Sequence, residues 1–418
     1  MKLLTLLFLC SIAFLAASLS SDHKEPAVSA DAFVDSVGIN VHLHFADTTY
    51  GDFASVENSL KALGVRHIRD GLIDTTWAPY YERLNDLGRL GIKSTLITSP
   101  NQGDAIIAGY PRRVPQSLEA YEAPNEYDQS HDPDWAKTLN AFVARLYRVA
   151  KSDPSTANFP IVGPSLTRPK SFSKIAVSAP FFDYANMHNY LAGRNPGTSG
   201  WGSNGYGSID WNLNLTKRTW PGKPVITTEN GYLTDASKPY GIPEDVAGKY
   251  LPRLFLEQWM HGIKRTFVYE LVDTGSRFHD NSFGLLHSDF SPKAGYKAMQ
   301  SLLRLLSDPG PAFEASGLNF EFSGNVSSLH HLLLEKRNGT FYLAIWIEQP
   351  SYDVDAKKQL AVSAQSILVD AKQRVRMTVH RFDESGSMQS SDLGVAQTQA
   401  LNVGDRLTIL QISLQDLR

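Results

Sequence analysis

Two glutamates in this sequence stand where a pair of carboxyl groups can act on one bond. Glu126 lies in Tyr121-Glu122-Ala123-Pro124-Asn125-Glu126-Tyr127-Asp128, and Glu229 in Val225-Ile226-Thr227-Thr228-Glu229-Asn230-Gly231-Tyr232. Each follows a short β-rich run directly. Cleaving a glycoside needs two carboxyl groups flanking the scissile bond. In the retaining mechanism one attacks the anomeric carbon while the other protonates the leaving oxygen. A single loop glutamate is ordinarily just a solvated carboxylate, but two at the ends of the fourth and seventh of eight candidate strands are a much rarer coincidence. Other reactive side chains end candidate strands in the same way: Arg69 the second, His188 and Tyr190 the sixth. His42 and His44 share one face of the first, and Tyr269 lies on the eighth.

These segments resemble those of clan A of the glycoside hydrolases, retaining (β/α)8 enzymes with the acid/base after strand four and the nucleophile after strand seven. Asn125-Glu126 is similar to the clan's Asn-Glu pair, within a wider Glu-x-x-Asn-Glu pattern that begins at Glu122. Thr228-Glu229-Asn230-Gly231 is similar to its nucleophile segments, and His188-Asn189-Tyr190 resembles the His-x-Tyr of family 5. Phe283-Gly284-Leu285 with Ser291-Pro292-Lys293 resembles the segment entering the last barrel helix. The resemblance implies Glu126 as acid/base, Glu229 as nucleophile and a β-linked glycan as substrate, with no cofactor and no metal. Arg69 and Tyr190 would then keep Glu229 ionised, because a nearby cation and a hydroxyl donor both lower a carboxyl pKa. Glu126 must keep its proton, so it should sit in a less polar spot and feel the charge of Glu229. Asn125 would meet the sugar 2-hydroxyl. Two departures leave the sugar open: Pro124 stands where many members have Trp, and Tyr269-Glu270 replaces the aromatic residue, commonly Trp, that floors the sugar site.

The elements that must hold these residues can be read from pattern. Candidate strands at 37–45, 65–69, 92–98, 118–123, 160–163, 182–190, 224–228 and 265–272 alternate with helix-like segments such as 53–63, 77–90 and 135–150. Strand–helix alternation argues for a parallel sheet, and eight units argue for a (β/α)8 barrel, although a doubly wound sheet gives a similar pattern. The first strand favours the barrel. Val37, Ile39, Val41, Leu43 and Phe45 fall on one face, and Gly38, Asn40, His42 and His44 on the other. After Ser307-Asp308-Pro309-Gly310-Pro311 the pattern becomes all-β, with runs at 329–335, 340–347, 359–362, 374–382 and 406–414, so a smaller β-sandwich is expected over 309–418. The barrel is assigned to 21–308, with 22–36 a candidate N-terminal strand joining the sandwich. A sandwich behind the barrel is like family 39 and its neighbours.

Length and composition set the frame. A chain of 418 residues exceeds one ordinary core. A formal net charge of −3 gives no reason to expect nucleic acid as partner. Residues 1–20 read as a signal peptide, with Lys2, an apolar run from Leu3 to Ala17 and a small-residue site at Ala16-Ala17-Ser18. The mature protein is therefore expected to be secreted or periplasmic, with no membrane span. Cys10, the one cysteine, falls in that leader, so no disulfide is expected. Asn214, Asn325 and Asn338 begin glycosylation-type triplets. Trp201, Tyr206 and Trp211, among many Gly, Ser and Asn residues between 192 and 220, mark a substrate-facing loop; a packed surface loop is the plain alternative. Two rival readings remain. A metal-dependent amidohydrolase would use His42 and His44 with His188 and Asp273 as further ligands, but shows no lysine or histidine near strands four or five to complete the site. A carbohydrate-binding protein on a hydrolase scaffold would normally have lost one of the two carboxylates.

Overall fold

A computed structural model describes residues 24–275 and 282–414. The leader-like segment 1–20 and Cys10 lie outside the described residues. Eight parallel strands are present: β1 (Val37–Asn40), β2 (His67–Gly71), β3 (Lys93–Ile97), β4 (Leu118–Glu122), β5 (Ile161–Val162), β6 (Ala185–His188), β7 (Val225–Asn230) and β8 (Thr266–Val268). They form one sheet in the order β5-β4-β3-β2-β1-β8-β7-β6. A parallel bridge between Val162 and Tyr184 joins its two ends, and the Gly163 amide donates to the Tyr184 carbonyl at 2.8 Å. The sheet is thus a (β/α)8 barrel.

Among the described residues, besides a short helix at Ala30–Asp35, it is covered by α1 (Phe53–Leu63), α2 (Ala78–Arg89), α3 (Asp104–Arg113), α4 (Trp135–Ser152), α5 (Ile209–Thr219), α6 (Glu244–Met260) and α7 (Ala294–Leu306). In α1 the Asp52 carboxylate caps the N-terminus by accepting from the Ser55 amide, Gly64 ends the helix, and Val56, Leu60 and Leu63 form the buried stripe. After β5 the expected helix is replaced by two 3-10 segments, Pro169–Lys174 and Ala176–Phe181. Pro180 removes an amide that an α-helix would need there. β1 also stops short of the expected 37–45. Its ladder ends at Asn40, and the chain turns where the Phe45 amide donates to the His42 carbonyl at 2.9 Å. The alternation persists through the turn, with Val41 and Leu43 buried and His42 and His44 partly exposed.

The C-terminal part is built from β9 (Glu321–Gly324), β10 (Leu329–Glu335), β11 (Phe341–Ile347), β12 (Gln365–Phe382), β13 (Met388–Val403) and β14 (Thr408–Ser413). They hydrogen-bond in the order β9-β12-β14-β11-β10, with β13 on the other side of β12. β9 and β14 pair with opposite halves of β12, on either side of an irregularity between Asp370 and Val375. Ile367, Val369 and Leu401 from one half share a core with Met377, Leu410 and Leu343 from the other, so the sheet folds over itself as a sandwich. Near the N-terminus, Val28–Ser29 pairs in parallel with Leu334–Glu335 of β10. The candidate strand at 359–362 is reduced to Lys358–Gln359, paired with Tyr352–Asp353. β13 escapes sequence reading because its outer half is largely solvated on both faces and carries no period-two pattern.

β11 is buried along its whole length. Phe341, Leu343, Ile345 and Ile347 enter the sandwich core, whereas Tyr342, Ala344 and Trp346 enter the core of the barrel's helical layer. The junction is also polar. Arg253 of α6 is fully buried, donates through Nε to Glu348 Oε2 at 2.9 Å and pairs through Nη2 with its Oε1 at 2.7 Å. Glu348 further accepts from Asn195, the Gly197 amide and Trp346 Nε1.

Candidate active site

The barrel interior is layered, as side chains alternating along eight strands require. Ala120, Val162, Ile226 and Phe267 pack together in one layer. Gly38 faces that layer, and a Cβ there would overlap the Phe267 ring. Toward the C-terminal strand ends the interior turns polar, with Asn40, Arg69, Glu122, Asn186 and Thr228 all buried. Arg69 organises them. Its Nε and Nη2 donate to the two oxygens of Glu122 (2.7 and 2.8 Å), its Nη1 to Asn40 Oδ1 (2.9 Å) and Glu229 Oε1 (2.7 Å), and its Nη2 also to Asn125 Oδ1 (2.6 Å). All five guanidinium N–H groups are used. Burial opposes the charge, but Glu122 and Glu229 outweigh it and raise the Arg69 pKa.

Glu229 extends from the end of β7. Tyr190 OH donates to its Oε2 at 3.0 Å, and His188 Nδ1 lies 3.5 Å from the same oxygen. Burial pushes its carboxyl pKa up; His188, Arg69 and Tyr190 more than offset this and hold it below its ordinary value. Glu126 follows β4 in a left-handed conformation, φ 42° and ψ 37°, with its amide donating to Ser165 Oγ. Its Oε1 lies 2.7 Å from His188 Nδ1, and its Oε2 accepts from Gln129. An oxygen of Glu126, a nitrogen of His188 and an oxygen of Glu229 all lie within 4.8 Å of one another.

A hydrogen-bond order runs into this group from the backbone. Asn186 Nδ2 donates to the Gly163 carbonyl (3.1 Å), which fixes its Oδ1 as an acceptor, and Thr228 Oγ1 lies 2.9 Å from that oxygen. The Thr228 hydroxyl proton is thereby engaged, so Oγ1 accepts from His188 Nε2, 3.1 Å away. His188 thus carries a proton on Nε2 and turns Nδ1 to Glu126.

The remaining candidates fall around this centre. A cavity of about 630 Å³ is lined by Glu126, Glu229, Asn125, His42, Tyr190 and Tyr269, among others. The structure brings these together with Arg69. His44 does not reach the lining; its Nδ1 lies 3.4 Å from Asp70 Oδ1. Trp201 and Trp211 stand apart from Glu229, around a second, smaller cavity that shares Glu126 and Tyr190 with the first. A larger cavity, about 810 Å³, lies between α5 and the sandwich and contains neither glutamate. Sequence reasoning missed the supports. Glu122 and Thr228 stood in the resembling segments without a role, Asn40 was placed only on the polar face of its strand, and Asn186 carried no signal of its own. Tyr50, which donates to Glu270 Oε2 at 2.9 Å, comes from a loop with no periodic signal. Burial pushes Glu270 up to about 8, opposed by that Tyr50 hydrogen bond, and lowers His42 to about 4.

Among the described residues, two groups have the proximity a metal would need: Glu126, His188 and Glu229, and Glu257, His330 and Glu348. In each, an arginine already occupies one carboxylate, Arg69 on Glu229 and Arg253 on Glu348. The pair proposed for an amidohydrolase, His42 and His44, has ring centroids 6.5 Å apart. Asp273, its further ligand, is held by Lys293 at 2.8 Å.

No known family model matches the sequence, and no curated protein sequence matches it either. Solved structures do. A family 39 glycoside hydrolase from Bacteroides cellulosilyticus WH2 superposes with a TM-score of 0.63 at 16% identity, covering 93% of this chain and 83% of that one. A monomeric β-xylosidase from Caulobacter crescentus CB15 does so with a TM-score of 0.58 at 14% identity, covering 93% and 97%. A glucosidase from Croceicoccus marinus gives 0.58 at 10% identity, covering 86% and 91%. The likeness extends over nearly the whole chain, so the barrel and the sandwich behind it together form a fold shared with these glycoside hydrolases.

Proposed function

We propose that the protein is a retaining glycoside hydrolase, with Glu229 as nucleophile and Glu126 as acid/base. The observation that carries this reading is the approach of the two carboxylates, an oxygen of each within 4.8 Å. Retaining enzymes hold their carboxyl groups about 5–5.5 Å apart, whereas inverting enzymes leave roughly 6.5–9.5 Å for a water. Glu229, kept ionised by its neighbours, attacks the anomeric carbon while the leaving oxygen takes a proton from Glu126. Glu126 Oε1 lies 2.7 Å from His188 Nδ1, a contact that positions the acid/base beside the nucleophile. Once Glu229 is esterified its charge is gone, and Glu126 takes a proton from the water that releases the sugar. Asn125, with Oδ1 held by Arg69 and Ser165, has its amide nitrogen left for the sugar 2-hydroxyl. The names of the similar structures, a β-xylosidase and a glucosidase, make xylosides and glucosides the first substrates to try, and the clan resemblance favours β-linkages in an oligo- or polysaccharide.

Glu229→Ala is expected to abolish hydrolysis of aryl β-glycosides. Azide should restore turnover as a glycosyl azide, and NMR of the wild-type product should find the anomeric configuration kept. Full activity in the variant, or an inverted product, would sink the assignment. Export of the mature enzyme is proposed from residues 1–20 alone. Terminal sequencing of protein from the native host should begin close to Ser18, and a mature chain starting at Met1 would refute it.

A further inference from the structure

A second cavity of about 200 Å³ borders Glu126, His188 and Tyr190 but not Glu229 itself. It shares Glu126 and Tyr190 with the 630 Å³ cavity but contains neither Glu229, Arg69 nor Asn125. A glycosidic bond held between nucleophile and acid has its sugar on the nucleophile's side and its leaving group beyond the acid. The larger cavity is therefore the sugar side, and the smaller one receives whatever departs.

The walls of the smaller cavity are aromatic: Trp201, Tyr206, Trp211 and Phe172, with Met187 and Leu215 between them. They are fixed by the backbone rather than left to a mobile loop. The Trp201 amide donates to the Tyr206 carbonyl at 2.9 Å and closes a short hairpin. Tyr206 meets Trp201 edge-on at 5.5 Å and Trp211 at 4.7 Å, and the Arg194 guanidinium lies 4.7 Å from the Trp201 ring. Trp201 packs flat on Gly207, where φ is +84° and a Cβ would overlap its ring. The Ser208 hydroxyl caps α5 by accepting from the Trp211 amide at 3.1 Å, which sets where that indole projects. A seat built in advance costs little to order on binding.

We propose that this cavity is the leaving-group seat of the enzyme and that it takes one six-membered ring with a flat apolar face, a sugar unit or a phenolic ring. The inference rests on the glycosidase reading and narrows its substrate class. The cavity of about 200 Å³ is large enough for one such ring beside Glu126.

The test uses the full chain and matched substrates with β-xylosyl or β-glucosyl groups: the glycosyl fluoride, which has no ring past the scissile bond, the phenyl glycoside and the β-linked disaccharide. In Trp201→Ala and Trp211→Ala, kcat/KM for the ring-bearing substrates, divided by that for the fluoride, should fall by about tenfold or more. Trp201→Phe, which keeps a ring on Gly207, should recover much of the loss. A fall confined to the disaccharide identifies a sugar as the natural occupant, and one confined to the phenyl glycoside identifies a phenolic aglycone. An unchanged ratio in both alanine variants overturns the proposal, as does an equal loss on all three substrates, which would make the loop merely structural. If the wild-type protein hydrolyses the fluoride but neither ring-bearing substrate, the seat is refuted and the glycosidase reading stands. If it hydrolyses none of them, both fall together.

Discussion

The Thr228 hydroxyl accepts from His188 Nε2 and so turns Nδ1 to Glu126. Thr228→Val removes that acceptor and leaves the imidazole free to turn away from Glu126. Phenyl glycosides, whose leaving group would need a proton from Glu126 under the proposed mechanism, should lose about tenfold to a hundredfold in kcat/KM, dinitrophenyl glycosides far less, and Thr228→Ser should restore the rate. Equal losses on the two substrates would refute the ordering. With Glu229 held below its ordinary 4.5, hydrolysis should persist as the pH falls past that value. Glu126 and Glu229 were legible in the sequence because each closes a strand inside a recognisable segment. The Asn186–Thr228–His188 order was not, because it depends on which amide atom faces a carbonyl from another strand.

At the scale of elements, the strand–helix alternation made the barrel readable, and inward alternation explains why its polar layer is assembled from five different strands. What sequence could not give were the ends. β1 stops at Asn40 although its alternation runs on, and the helix expected after β5 is broken into two prolyl turns. Gly38 illustrates a constraint with no pattern of its own: it is small because Phe267 of the neighbouring strand fills the space beside it. Gly38→Ala should force that ring aside and cost about 1–3 kcal/mol. Chemical denaturation would register this as a lower midpoint with an unchanged slope. No loss of stability would mean that the interior layer is looser than drawn.

The whole molecule is tied together at Arg253 and Glu348. Burial pushes the Glu348 carboxyl up, but Arg253 and Asn195 outweigh it and hold the pKa below 4.5. Such a group stabilises the fold above its unfolded pKa, and the contribution is lost as pH falls through the folded value. Arg253→Met leaves Glu348 buried without its cation, at a cost of about 3–5 kcal/mol. Calorimetry near neutral pH should then find the melting temperature lowered, with the deficit shrinking as the pH falls and Glu348 takes up a proton; a variant as stable as the wild type at neutral pH would show that the junction carries no load. β11 gives the same junction a consequence for inheritance and engineering. Many multi-part enzymes trade their accessory pieces, since a linker is the only thing cut. Here the strand is common property: its odd residues complete one core and its even residues the other. Recombination at 308 would strip an apolar wall from both descendants, so the barrel can be passed on only together with the sandwich behind it.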